Sequence, residues 1–355
     1  MRYPEPHQKV GFFKFGGIFE MRVAKSPATI FSIIGALFII ASAVEISVGP
    51  MWLPIGRILP DAIAYFHGSR SADAVVMGAI RLPRVFVAAF VGASLASTGA
   101  VLQAIFRNPM ADPGIIGVSS GGALGAVTAI QTGLAAQGAF VLPLSAFVSG
   151  LLAVFVIYGV ATVNGRTSLY SLLLVGVAIS VLCGAGVDLV LSLAPLQTMQ
   201  QVMFWLMGGL DGSTWTNVAL ILIFWLVGFM IFFLAAPALD LMSLGEEQAH
   251  GVGVRVEWVK RLMLATAALV IGACISVSGT IGFVGLIVPH ILRLIIGPRH
   301  RLLIPASALG GALLLIIADV IARTVLMPVE INVGIVTSCL GVPFFLYLLR
   351  RQQRT

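Results

Sequence analysis

Charged residues are scarce in this chain. Aspartate, glutamate, lysine and arginine together make up 10% of its 355 residues, whereas soluble domains carry about 25%. Hydrophobic residues reach 59%, and the mean hydropathy is +1.05. The chain lacks the polar surface that would keep it in water, so its composition predicts a multi-pass membrane protein.

Residue types that carry chemistry are also few. The three cysteines and five histidines show no metal-ligand or nucleophile–base spacing. No lysine follows a glycine, so the phosphate-binding motif GxxxxGK[ST] is absent. We therefore expect no catalytic residue, no metal ion and no cofactor on this chain.

The hydrophobic residues form runs long enough to cross a bilayer. Polar breaks between them predict ten spans in one transmembrane domain, residues 28–349, with an N-terminal segment 1–27 before it and a tail 350–355 after it. The spans are predicted at 28–48, 85–106, 115–132, 139–162, 169–193, 216–236, 261–279, 281–296, 302–323 and 331–349.

The basic residues orient these spans. With the N-terminus inside, sixteen of the 21 lysines and arginines fall on the cytoplasmic side, which is the positive-inside distribution. Both termini are therefore predicted to be cytoplasmic. The net charge of +7 reflects this asymmetry, so we expect contact with membrane lipid and no binding of nucleic acid.

A weak internal repeat accompanies the spans. At an offset of 180 residues, small and helix-breaking residues recur in one gapless register: Gly92 with Gly272, Gly99 with Gly279, Pro109 with Pro289, and Gly117 with Gly297. The first copy lies on an inward-running span and the second on an outward-running one. The pattern predicts an inverted repeat, which is common among transporters.

Ionisable residues near the span ends are the first functional candidates. Arg81 and Arg84 stand at a helix start, where the dipole favours acidic residues, so their placement indicates a use beyond folding. Snorkelling to lipid phosphates is the alternative. Asp319 and Arg323, four residues apart, are expected to pair within their helix.

The longest cytoplasmic interruption is predicted at residues 237–260. Its LGEEQAH segment predicts a short helix ended by Gly251 and Gly253. A solvated loop and a docking element for a cytoplasmic partner both fit this pattern.

A methionine stripe is the last candidate. Met199, Met203 and Met207 recur at every fourth position beside Phe204 and Trp205. Such a soft, adaptable surface suits a transport pathway for a bulky substrate. Plain helix packing is the alternative.

Several segments in order resemble the permease subunits of bacterial ATP-binding-cassette (ABC) importers for ferric siderophores, haem and cobalamin. They are RLPR (81–84), GAVLQAIFRNPMADPGIIGVSSG (99–121), LLLVGVAIS (172–180), WLMGGLDG (205–212), LGEEQAHGVGV (244–254), GTIGFVGLIVPHILRLIIGPRHR (279–301) and ADVIARTVLMPVEINVGIVTSCLGVPFFLYLL (318–349). The resemblance implies an all-helical fold of ten spans per subunit and a homodimer with the pathway along its axis. It also implies two cytoplasmic ATPase subunits, which bind ATP and magnesium, and one periplasmic binding protein.

The resemblance further implies roles for individual residues. Glutamates of the binding protein would meet Arg81, Arg84 and Arg323. The ATPase would be contacted by Leu244, Gly245, Glu246, Glu247, Ala249 and Gly253. A cytoplasmic gate would be formed by Asn108, Met110, Leu169, Tyr170 and Leu174.

These observations predict the permease of an importer in the bacterial inner membrane. Haem is the preferred cargo, because a bulky, partly apolar ring suits a pathway with methionine and aromatic residues; a ferric siderophore or cobalamin is the alternative. An ion-coupled secondary transporter is the alternative from another class. It would need ion sites at mid-membrane, whereas the acidic residues lie near the span ends.

Overall fold

The computed structural model describes residues 26–49 and 51–352. Almost all of the predicted segment 1–27 and the last three residues of the tail therefore lie outside the described residues. The described part contains one sheet, the antiparallel hairpin of β1 (Thr162–Val163) and β2 (Arg166–Thr167). Its helices are α1 (Pro27–Ser47), α2 (Ile58–Phe66), α3 (Ala72–Val75), α4 (Leu82–Ile105), α5 (Val118–Gln131), α6 (Val141–Ala161), α7 (Leu169–Leu193), α8 (Leu196–Leu206), α9 (Trp215–Leu244), α10 (Glu246–Gly251), α11 (Val256–Ser278), α12 (Val284–Ile296), α13 (His300–Thr324) and α14 (Val333–Gln352).

Each predicted span contains one of these helices, so the all-helical polytopic fold is confirmed. Among the described residues, seven helices are long and apolar enough to cross a membrane by length and composition. The others, α5 with 14 residues, α12 with 13 and α14 with 20, complete the set of ten. Because α5 and α12 are shorter than a bilayer crossing requires, the chain enters each of them from a break inside the bundle.

The predicted interruption at 237–260 is too wide. Helix α9 continues through Pro237 to Leu244, and α11 begins at Val256, so only residues 245–255 separate the two long helices. A proline is tolerated there because neighbouring helices cover the backbone around it: Ala236 and Leu239 are fully buried.

The helices repeat in order, with opposite direction. Helices α4 to α7 have 24, 14, 21 and 25 residues, and α11 to α14 have 23, 13, 25 and 20. The gapless register of 180 residues is wrong, however. Gly99 lies inside α4 whereas Gly279 follows the end of α11, and Pro109 lies in a turn whereas Pro289 lies inside α12. Loops of different length shift the register within the repeat.

Two ends of the bundle position the candidate sites. The arginine end is where α4 begins and α13 ends, with Arg84 and Arg323. The α10 end is where α9 ends, α11 begins and the β1–β2 hairpin lies. Helix α4 joins them through the core, and it approaches α13 closely because Gly92 faces the backbone of Gly311, where either glycine's missing side chain would collide with the other helix.

Candidate functional site

Arg84 is the centre of a charged cluster at the arginine end. Its Nε and Nη2 atoms donate to the two carboxylate oxygens of Asp319 at 2.9 and 3.0 Å. Its Nη1 lies 3.0 Å from Glu330 and 2.9 Å from Asp211. Only 11% of the Arg84 side chain and 1% of the Asp319 side chain are exposed. A two-pronged ion pair shielded from water in this way fixes the relative position of α4 and α13.

Arg81 and Arg323 bind the C-terminal end of α1. Arg81 donates to the carbonyl oxygens of Glu45 and Ile46 at 3.2 and 3.1 Å, and to that of Val48. Arg323 donates to the carbonyl oxygens of Glu45 at 2.8 Å and Val48 at 3.2 Å. The last carbonyl groups of a helix have no partner within it, and the helix dipole favours a cation there. The two arginines therefore cap α1.

The three predicted docking arginines thus lie at one end of the molecule, but their guanidinium groups are used within the chain. Arg81 and Arg323 are only 4% and 3% exposed. A partner's carboxylate would reach Arg84 only by displacing Asp211 or Glu330 from it. The docking role stays a prediction, and the geometry adds a folding role that the sequence did not indicate.

The expected pair of Asp319 and Arg323 is present, with 3.2 Å between Oδ2 and Nε. Sequence reasoning missed Glu45, which is 1% exposed and places Oε1 3.9 Å from Nη2 of Arg323. A single acidic residue in an apolar span is the signal that marks such a position.

The short helix predicted between α9 and α11 is present as α10. It begins after Gly245 and is followed by Gly253, whose φ of +91° favours glycine. Ala249 packs α10 onto the bundle at 1% exposure, whereas Leu244 is 73% exposed and Glu247 is also exposed. One face of α10 is therefore packed on the bundle, and the face that carries Glu247 is exposed. Its ATPase contacts stay a prediction.

The predicted gate residues divide between two segments. Asn108 and Met110 lie in the turn after α4, where the Asn108 side chain accepts a hydrogen bond from the Met110 amide at 2.9 Å. Tyr170 and Leu174 project from the first turns of α7 and are 72% and 54% exposed, whereas Leu169 packs against the core of its own chain. Leu169 is partly buried and the other two α7 residues are exposed; the gate role of all five residues stays a prediction.

A cavity of about 520 Å³ lies between the two helix breaks of the repeat. Its polar lining includes Asp112, whose side chain accepts a hydrogen bond from the Gly114 amide at 2.8 Å. The carboxylate also accepts a hydrogen bond from the backbone of Phe283. Asp112 thereby links the break before α5 to the break before α12.

Met199 and Met203 of the methionine stripe lie on α8, a helix that sequence analysis did not predict, and Met207 directly follows it. Met203 and Met207 are 48% and 42% exposed, and Met199 is half-buried. Met207 also lines the cavity, while the neighbouring Val202 on α8 is fully buried. Their role in a pathway stays a prediction. Among the residues that the structure describes, no group of three or more His, Cys, Asp or Glu side chains is placed to hold a metal ion.

In the part of the chain that the structure describes, seven apolar helices of spanning length and the shorter helices α5 and α12 beside central breaks form the architecture of a multi-pass transport protein. Residues 36–351 match the model of the FecCD transport family, and the chain belongs to this family.

Individual relatives agree with this placement. The chain is 48% identical over 279 residues to the cobalamin import system permease protein BtuC of Halobacterium salinarum (79% of this chain, 74% of the relative). It is 43% identical over 283 residues to the hemin transport system permease protein HmuU of Yersinia pestis (77% and 83%). A solved structure of a metal-chelate type ABC transporter in an inward-facing conformation matches with a TM-score of 0.81 at 30% identity, covering 92% of this chain and 100% of that chain. The relatives are permease proteins, which are transport components and not enzymes.

Proposed function

We propose that this chain is the permease subunit of an ABC importer that carries a metal chelate across the bacterial inner membrane. The family match over residues 36–351 carries the proposal. Relatives named as permeases for cobalamin, hemin and Fe(3+)-citrate are 35 to 48% identical to this chain, and their cargoes share a metal held by an organic chelator. Haem is our favoured cargo within this class, because exposed methionine and aromatic side chains on α8 suit a flat, partly apolar ring.

The proposed orientation places the arginine end outside and the α10 end in the cytoplasm. The basic residues expected at the α10 end support it through the positive-inside rule; they are Arg107, Arg166, Arg255, Lys260, Arg261, Arg293, Arg299 and Arg301. A binding protein then delivers cargo at the arginine end, and two ATPase subunits contact α10.

The proposed assembly contains a second copy of this chain. Helix α7 supports it, because apolar side chains such as Val177, Val181 and Leu189 are 59 to 68% exposed along its length. A pathway between two such faces would be closed at the α10 end by Tyr170 and Leu174 of each subunit. ATP-driven movement of α10 would open and close it by shifting the helices between two arrangements.

Ion coupling is the rival mechanism, and the charged cluster argues against it. An ion-coupled carrier needs an acidic group that exchanges a cation during each cycle. Asp319 is instead held by Arg84 and Arg323, and Glu45 lies beside the same arginines.

The proposal is tested by ATP hydrolysis in nanodiscs that contain the permease and its ATPase. We expect the binding protein loaded with haem to stimulate hydrolysis more than the binding protein loaded with a ferric siderophore, cobalamin or ferric citrate. The empty binding protein is the control. Equal rates with every chelate would refute haem selectivity, and no stimulation by any of them would refute the proposed cargo class.

A further inference from the structure

Lys260 is a buried lysine at the α10 end whose ammonium group has three acceptors. Its ammonium group lies 2.6 Å from Oε1 of Glu257 and 3.0 Å from Oε2 of Glu246, and it donates to the Thr167 carbonyl oxygen at 3.2 Å. The side chain is 3% exposed. An ammonium group has three donors, so these three acceptors match its full capacity.

The three acceptors belong to three different elements. Glu246 is the first residue of α10, Glu257 lies in the first turn of α11, and Thr167 ends the β1–β2 hairpin. Glu257 also accepts a hydrogen bond from the Thr167 amide at 3.1 Å. One buried cation therefore joins α10, α11 and the hairpin.

The β1–β2 hairpin is directly continuous with α7. Thr167 is followed by Ser168, which caps the N-terminus of α7, and Leu169 is the first residue of that helix. Thr167 Oγ1 also bonds to the Tyr158 hydroxyl on α6 at 3.2 Å. A shift of α10 relative to α11 must therefore move the start of α7 or break the bonds of Lys260.

We propose that Lys260 is a positioning residue that transmits the movement of α10 to the gate-bearing first turns of α7. The inference rests on the proposed function, in which α10 contacts the ATPase. Glu246 is the link that matters for transmission, because it alone of the three acceptors lies on α10. Glu257 holds the charge of Lys260 in place when α10 moves.

The alternative is that Lys260 only stabilises the fold, and the test separates the two roles. The permease, its ATPase and its binding protein are reconstituted in proteoliposomes with wild-type permease, Glu246→Gln, Lys260→Met or Lys260→Arg. Asp73→Asn is the control, because it removes a carboxylate from an exposed ion pair at the other end of the bundle. The readout is the number of cargo molecules imported per ATP hydrolysed, together with ATPase activity without binding protein.

Glu246→Gln is expected to assemble and hydrolyse ATP, but to import at least about threefold less cargo per ATP, the range of coupling that mutations along such networks change. Lys260→Met should reduce cargo imported per ATP at least as much, and Lys260→Arg should reduce it less than Lys260→Met does. The double variant Glu246→Gln/Lys260→Met should import as much cargo per ATP as Lys260→Met alone, because both substitutions remove the same contact. Asp73→Asn should match the wild type.

Two results would overturn the inference. One is Glu246→Gln with wild-type import per ATP. The other is loss of folding in Glu246→Gln as well as Lys260→Met, which would assign the contact a structural role alone. If the wild-type complex itself shows no ATP-dependent import, the proposed function is refuted, and this result is distinct from a defect confined to the variants.

Discussion

Arg84 and Asp319 stand 235 positions apart in the chain and are joined by two hydrogen bonds of 2.9 and 3.0 Å. The pair ties the first helix of one repeat to the third helix of the other. Because Asp319 is fully buried, removing Arg84 would leave this carboxylate with one arginine, Arg323, in place of two. This relationship makes the arginine cluster a folding element as well as a candidate docking surface.

Removing Arg84 should therefore destabilise the protein strongly. Breaking a buried ion pair by removing one partner costs about 3 to 5 kcal/mol, so Arg84→Gln should lower the free energy of unfolding in detergent by that order. Arg57→Gln is the matched control: its pair with Asp73 is exposed and should cost less than about 1 kcal/mol. Equal losses in the two variants would show that the Arg84 pair is solvated.

Arg81 and Arg323 should stabilise the fold by capping α1, whether or not they also contact a partner. Hydrogen bonds from charged groups contribute about 1.5 to 3 kcal/mol, so Arg81→Gln and Arg323→Gln should each lower the unfolding temperature. The binding-protein affinity of the folded fraction then tests the docking role separately from this capping role. A tenfold loss of affinity at unchanged stability would instead support the docking role predicted from the sequence.

The turn after α10 should be sensitive to backbone geometry. Gly253 has a φ of +91° and donates its amide to the His250 carbonyl at 2.9 Å, and proline allows neither. Gly253→Pro should weaken ATPase assembly and abolish uptake with normal membrane insertion. Gly251→Ala is the control, because no atom lies near the position of the added methyl group. Full uptake by Gly253→Pro would remove the coupling role.

Gate residues should affect leakage more than stability. Tyr170 and Leu174 are mostly exposed in the single chain, so replacing both with alanine should cost less than about 1 kcal/mol while a small fluorescent solute leaks from liposomes without ATP. Leu169→Ala should show the reverse, a larger loss of stability of about 2 kcal/mol and tight liposomes, because Leu169 is partly buried and packs against the core. If liposomes with the variant Tyr170→Ala/Leu174→Ala do not leak, these residues do not form the gate, and Asn108 and Met110 would be the remaining candidates.

The sequence predicted the membrane fold well because apolar run length and charge asymmetry are local signals. Each of the ten spans contains a helix, and the short helix α10 was predicted from its glycines. Helix α8 was missed, because the mixed LQTMQQVMFWL segment has no uniform apolar run. The break at 237–260 was predicted too wide because Pro237 was taken as a helix end, whereas burial supports the helix around it.

The side-chain networks could not be predicted, because their partners are far apart in sequence. Local spacing gave the Asp319–Arg323 pair, but Arg84 reaches Asp319 only once α4 and α13 are packed. Lys260 likewise reads as one more basic residue after a loop until the hairpin brings Thr167 beside it. The arginines were correctly placed at one end, but their burial against α1 required the tertiary structure.

The central claim is that this permease imports a metal chelate at the expense of ATP hydrolysed on a partner chain. It is tested most directly by haem uptake into proteoliposomes that contain the complete complex, with ATP enclosed and the loaded binding protein outside. We predict accumulation that stops when the ATPase is inactivated and is unaffected by ionophores that collapse proton and sodium gradients. Uptake that persists without ATP and disappears with the ionophores would contradict the claim.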